Sequence, residues 1–347
     1  MSGVSKAIVQ PLLSWYDAGH RDLPWRSEPA PYRVWVSEIM LQQTRVEAVR
    51  GYFSRWMNAL PDIPALAAAD EAVYTKLWEG LGYYSRVRNL HRAAVLLCEE
   101  YGGELPADYD RLLALPGVGE YTAGAVASIA FGLPVPAVDG NVLRVAARLD
   151  NDFTPITDAK FKKQTRERFA ALMPSDRPGD LNQSLMELGA TVCLPNGAPR
   201  CADCPIQHLC EGFHRGNAAV LPLRAAKKAR RVENRTVLLV RCSQLVGLRQ
   251  RPKKGLLAGL WELPSLDGHL SPDELRAALT EMGWSVRKLL SLRPAKHIFT
   301  HVEWHMNGVY VELDVPAPAL TFVTPAELRD AYALPSAFRS FVSVLED

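Results

Sequence analysis

Apolar residues recur at helical spacing through the first two thirds of the chain, over 34–60, 71–77, 87–101, 109–115, 120–131, 159–172 and 182–193. Glycine or proline stands between these segments. The opening stretch, with Trp15 and Asp17 early, reads as one more helix. Near residue 220 the period changes, and short β-type runs at 235–242, 286–292 and 301–314 predict strands. Between the two regimes Arg224, Lys227, Lys228, Arg230 and Arg231 form a basic stretch with little apolar content. The pattern predicts a multidomain chain: an all-α domain over 1–216, a linker over 217–233 and an α+β domain over 234–347.

Composition changes this picture little. At 48% hydrophobic and 22% charged residues the 347-residue chain is ordinary for a globular protein. A net charge of +2 means that any surface for nucleic acid must be a local patch rather than a global field. No uninterrupted apolar run approaches the roughly 20 residues of a membrane helix, so no membrane partner is expected. The opening residues lack a signal-peptide pattern, which predicts a cytoplasmic location.

Three local patterns carry chemistry. Pro116-Gly117-Val118-Gly119 breaks the chain between two helical segments. The glycines let backbone N–H groups face outward, and the following helix adds the positive end of its dipole, so Gly117, Val118 and Gly119 suit a phosphate oxygen. A packed helix–turn–helix corner is the plainer alternative. A proline-containing loop then delivers Asp139-Gly140-Asn141 to the start of another helix. The second pattern is Cys193, Cys201, Cys204 and Cys210, spaced C-x7-C-x2-C-x5-C, which is metal-ligand rather than disulfide spacing. Uneven thiolate spacing suits a [4Fe–4S] cluster, with zinc or free thiols as alternatives. The third is Glu38 among Val36, Ile39, Met40 and Leu41. Burial there would raise its pKa and let it carry a proton; a solvated helix charge is the competing reading.

Hairpin, spacing and Asp-Gly-Asn together resemble the helix-hairpin-helix DNA glycosylase superfamily, in which the hairpin grips DNA and the Asp is catalytic. Residues 37–44, SEIMLQQT, are similar to the adenine DNA glycosylases, and that likeness spans nearly the whole chain. It implies an enzyme of base excision repair that cleaves the N-glycosidic bond of adenine mispaired with 8-oxoguanine, or guanine, in duplex DNA. A monomer acting at the nucleoid is expected. Cleavage through an oxocarbenium-like transition state calls for an acid at the leaving base and a negative charge near the sugar. The resemblance implies Glu38 as the acid, Asp139 as the stabilising carboxylate and Asn141 as its hydrogen-bonding support. Arg21, Trp25, Arg26, Leu41 and Glu187 are then implied to line the adenine pocket. Gln43 and Tyr83 would wedge into the base stack once adenine is flipped out. The cysteine loop is similar to the superfamily's C-x6-C-x2-C-x5-C loop, one residue longer here, and implies one [4Fe–4S] cluster per chain.

Position 121 decides between mechanisms. Bifunctional relatives of the endonuclease III type, which act on oxidised pyrimidines, carry a lysine nucleophile two residues after the second hairpin glycine. Here that residue is Tyr121, and no lysine occurs in 112–151, which predicts a monofunctional enzyme. Residues 234–347 resemble the Nudix fold, on the strength of GLLAGLWELP at 255–264. In the stretch similar to the Nudix hydrolase signature Arg276, Glu281 and Gly283 remain, whereas Ala277 and Thr280 replace two glutamates. One carboxylate cannot assemble a hard-cation site, so pyrophosphohydrolase activity is not expected. Phe299, Thr300 and His301 match the family loop implied to sense 8-oxoguanine, with threonine where serine is common. A DNA-binding or redox-sensing module without catalysis is the rival from another class, and the presence of both Glu38 and Asp139 argues against it.

Overall fold

The structure, a computed structural model, describes residues 5–195, 197–224 and 229–345. Lys227 and Lys228 of the basic stretch lie outside the described residues. The chain forms two compact units, residues 1–68 with 88–226, and residues 69–87 with 227–347. The pattern at 71–77 announces a helix with one apolar face, but periodicity says nothing of which unit that face will join.

The first unit is helical. Its starts are written in short polar caps: Asp108, Asp139 and Asp158 each accept a backbone N–H in the first turn of the helices Tyr109–Ala114, Gly140–Leu149 and Ala159–Ala170. Proline opens the helices Pro31–Leu41 and Pro178–Thr191, where its missing N–H costs nothing. The helical segment expected over 34–60 is two helices, Pro31–Leu41 and Val46–Ala59. They part at a turn in which Gln43 takes a φ of 58°. The segment expected from 182 begins earlier, at Pro178. Glu120–Phe131 has the expected bounds, closed by Gly132 in the left-handed conformation. Leu12, Val145, Phe169, Leu181, Leu185 and Leu188 meet in one buried core. Helix Pro178–Thr191 comes close to helix Gly140–Leu149 because residue 189 is glycine: a Cβ there would lie 2.5 Å from that of Asn141.

Among the described residues, the second unit is built on an eight-stranded mixed sheet. Its centre is a parallel pair, Arg231–Cys242 with Val302–Leu313, in continuous register from Arg231↔Val302 to Cys242↔Leu313. The first of these strands reaches back into the basic stretch that composition suggests is linker. Alternation along it sorts side chains between two faces. Val237 and Leu239 pack with Trp304, Phe338 and Phe341, while Leu238 and Val240 pack with Leu275 and Leu279 of helix Pro272–Glu281. That helix starts with a reciprocal cap between Ser271 and Glu274. Strands Leu245–Gln250, Trp261–Glu262, Ser265–Asp267, Ala295–Ile298 and Thr321–Val323 were not foreseen. Most hold only two to four residues, too few to show a period.

Candidate active site

A cavity of about 640 Å³ opens in the helical unit. Around it stand Arg21, Trp25, Arg26, Glu38, Leu41, Gln43, Gly117, Gly119, Tyr121, Asp139, Asn141 and Glu187, so residues far apart in the chain are gathered at one place. Glu38 lies on the buried face of helix Pro31–Leu41 and is 5% exposed. The Tyr121 hydroxyl, from the first turn of helix Glu120–Phe131, donates to its Oε2. Burial pushes the Glu38 carboxyl up to about 7; the Tyr121 hydrogen bond opposes this, and the charge of Asp139 adds to it. Burial and the two carboxylates also push the Tyr121 phenol well above its ordinary value, so it remains a donor.

Asp139 caps helix Gly140–Leu149. Its Oδ1 accepts from the N–H groups of Asn141 at 2.9 Å and Val142 at 2.8 Å, and its Oδ2 accepts from Asn141 Nδ2 at 2.6 Å. Burial raises its pKa, while these three donors and Arg144 favour the charged form. The two acids therefore differ in kind. Burial raises both, but Asp139 is ringed by hydrogen-bond donors to its charged form, whereas burial dominates at Glu38, helped by the Asp139 charge and opposed by the Tyr121 phenol and Arg26, and suits it to carry a proton.

Glu187, 2% exposed, is held by a fork from Arg21, Nε at 2.6 Å and Nη2 at 2.9 Å, and by Arg26 Nη2 at 2.9 Å. Burial pushes this carboxyl up, but the two guanidinium groups outweigh it and hold it below the usual range. Trp25 is buried edge-on against Phe53, with ring centroids 5.4 Å apart. Gln183, Met186 and Gln42 also line the cavity, and Met186 Sδ lies 3.6 Å from the Tyr121 hydroxyl. Gln183 and Met186 escaped the sequence reading, since nothing local marks them, and Gln42, inside the SEIMLQQT stretch, was given no role. Arg144 escaped it too. Its guanidinium donates to Asn141 Oδ1 and to the carbonyls of Gly189 and Cys193, each at 2.7 Å. Two arginines four apart, Arg144 and Arg148, in a helix whose other positions after Asn141 are all apolar were the available signal, for both are buried.

The hairpin departs from expectation in one respect. The Val118 N–H is spent on the Leu115 carbonyl inside the turn, and Val118 itself is buried. Gly117 needs glycine twice over: its φ is 77°, and a Cβ would lie 2.5 Å from Asn89 Cβ. At Gly119 a Cβ would meet nothing, so the space outside it is open.

Cys193, Cys201, Cys204 and Cys210 line one cavity together with Val145, Leu149 and Ile206. Arg148 Nη1 donates to Cys193 Sγ at 3.1 Å. Among the described residues no group of three or more His, Cys, Asp or Glu is placed to hold a metal ion. In the second unit the Tyr83 hydroxyl and Thr300 Oγ1 are 2.9 Å apart. Phe299 packs edge-on against Trp304, with centroids 4.8 Å apart, and the His301 carbonyl accepts from the Arg231 N–H at 3.1 Å. No described helix is long and apolar enough to cross a membrane.

This helical unit and its cavity define the class. Residues 36–172 match the HhH-GPD superfamily of base excision DNA repair proteins, and residues 236–344 match the NUDIX domain. The chain is also similar to a solved structure of a thermostable thymine-DNA glycosylase, with a TM-score of 0.54 and 27% identity. That match covers 60% of this chain and 96% of the other. Against the adenine DNA glycosylase of Mus musculus it is 39% identical over 370 residues, covering 89% of this chain and 71% of the mouse protein. Against that of Rattus norvegicus it is 36% identical over 405 residues, covering 98% and 78%. The chain belongs to the adenine DNA glycosylase family.

Proposed function

We propose that the protein is a monofunctional DNA glycosylase that hydrolyses the N-glycosidic bond of adenine opposite 8-oxoguanine in duplex DNA and leaves an abasic site. The observation that carries this reading is the pair of unlike carboxyls in one cavity, Glu38 poised to hold a proton and Asp139 ringed by donors. Glu38 delivers its proton to the leaving adenine. The sugar cation that develops is stabilised by the Asp139 carboxylate, which Asn141 and the helix N-terminus hold in place. Water then adds at the sugar, with Glu38 receiving its proton. Tyr121 holds Glu38 by hydrogen bond and cannot form a Schiff base, which supports hydrolysis without strand cleavage. Glu187, fixed by Arg21 and Arg26, supplies a polar wall, and Trp25 and Leu41 supply apolar ones.

Gly117 and Gly119 offer the hairpin's surface to a DNA phosphate, for which the open space at Gly119 leaves room. Gln43 and Tyr83 act as wedges. Both are held at positive φ, 58° and 46°, a costly backbone state for side chains of this kind and one that collects at functional positions. Thr300, flanked by Phe299 and His301, reads the lesion. The four cysteines fit a [4Fe–4S] cluster: they are soft donors on one cavity, with an arginine N–H aimed at a sulfur. Held by Cys193, Cys201, Cys204 and Cys210, it would supply a cross-link of the loop and a redox-active centre.

The test is single-turnover excision from duplexes carrying adenine opposite 8-oxoguanine or guanine. The expected outcome is abasic product without strand cleavage, and faster reaction opposite 8-oxoguanine. Thr300→Ala should lower that preference about tenfold, the loss of one hydrogen bond to a polar base edge. A borohydride-trapped adduct formed as efficiently as by a lyase counts against the monofunctional assignment, and an unchanged preference in Thr300→Ala counts against the lesion-reading one. Anaerobically purified protein should contain about four irons and four acid-labile sulfides per chain, the content of one such cluster. Stoichiometric zinc in their place contradicts the cluster.

A further inference from the structure

Tyr83 sits at the end of a turn that joins the helices Glu71–Leu77 and Ser85–Tyr101. Gly80, Gly82 and Tyr83 have φ values of 101°, 68° and 46°. Inside the turn, Trp78 Nε1 donates to the Gly82 carbonyl at 3.0 Å, and Arg86 Nη2 donates to the carbonyls of Leu81 at 2.9 Å and Gly82 at 3.2 Å. These bonds set the shape of the turn and leave open where it stands on the sheet-containing part of its unit. At its far end the Tyr83–Thr300 hydroxyl pair is exposed, and one exposed neutral hydrogen bond is too weak to hold a strained turn in register.

The stronger tie is at the near end. Glu79 Oε1 accepts the Leu334 N–H at 2.7 Å, and Glu79 Oε2 pairs with Lys76 Nζ at 2.6 Å. The same Lys76 Nζ donates to the Tyr332 carbonyl at 3.0 Å. Charge-assisted bonds to two backbone groups two residues apart fix both position and direction. Beside them lies a cavity of about 660 Å³, lined by Lys76, Glu79, Gly80, Leu334 and Arg339, so a turn released from this tie has space to move into.

We propose that Lys76 and Glu79 are positioning residues: a clamp that holds Tyr83 against Thr300 so that the two hydroxyls act as one reader of the base opposite adenine. The inference deepens, and rests on, the proposed roles of Tyr83 as a wedge and of Thr300 as the reader of the lesion. It is tested with full-length Glu79→Ala and Lys76→Met by single-turnover excision opposite 8-oxoguanine and opposite guanine. Each variant should lower the 8-oxoguanine-to-guanine rate ratio about fivefold to tenfold, with the rate opposite guanine unchanged. In Glu79→Ala combined with Thr300→Ala, the ratio should fall no further than in Thr300→Ala alone. Unchanged ratios in both clamp variants overturn the proposal. Equal losses opposite both bases overturn it too, since a merely structural role acts that way. Thr300→Ala alone separates the two ideas: no change there sinks the lesion reading and the clamp together, whereas a change there without one in the clamp variants sinks only the clamp.

Discussion

Glu38→Gln should lower single-turnover adenine excision roughly 10²- to 10⁴-fold while leaving DNA binding intact, because it removes the one proton-carrying acid in the cavity and little volume. The neutral amide still accepts from Tyr121, so the local packing survives. Near-normal rates in this variant would mean that the proton comes from elsewhere and the mechanism is misassigned. The wild-type pH profile follows from the same environment. The protonated form does the work and burial pushes its pKa up to about 7, so excision should fall as pH rises through about 7. Stability moves in the same direction. A carboxyl raised on folding contributes stability that is fully present below its unfolded pKa and lost as pH rises through the folded one. Thermal unfolding should therefore show Glu38→Gln gaining on the wild type above about pH 7, with no such gain at pH 4. A constant difference between the two proteins across that range would contradict the burial argument.

Asp139→Asn should be nearly as damaging to chemistry and far milder to the fold. Asparagine caps helices as well as aspartate does, so the bonds from the Asn141 and Val142 N–H groups can persist; only the contact with Asn141 Nδ2 is lost. What disappears is the negative charge next to the developing sugar cation. A loss of roughly 10²- to 10³-fold in the excision step is expected, the scale of removing one preorganised electrostatic partner. The unfolding midpoint should shift by only a few degrees, as a loss of about 1 kcal/mol would give. Equal excision by variant and wild type would remove Asp139 from the mechanism. A collapse of the unfolding transition would instead assign it to structure.

Much of the helical unit could be read without coordinates, because its signals are local. An aspartate before an apolar-periodic run is a helix start, and Asp108, Asp139 and Asp158 all cap as their neighbours require. The hairpin glycines and the bounds of Glu120–Phe131 are legible for the same reason. The break at Gln43 is not, since no glycine or proline marks it and only packing can force a glutamine to positive φ. Short strands fail likewise: three residues at Ser265–Asp267 pair with Arg231–Cys242 without any pattern of their own.

The candidate residues were visible one at a time, and their partners were not. By itself the sequence determined the caps of several helices in the first unit and the bounds of Glu120–Phe131, that four thiols lie within 18 residues, that Glu38 stands among apolar neighbours and that position 121 is not lysine. The tertiary structure decided that Tyr121 donates to Glu38, 83 residues away, that Arg21 forks onto Glu187, 166 residues away, and that residues 69–87 join the unit carrying Thr300. The physical reason is range. Caps, turns and periodicity act within a few residues, whereas burial, which makes Glu38 an acid, comes from helices brought together by packing such as that of Gly189 against Asn141.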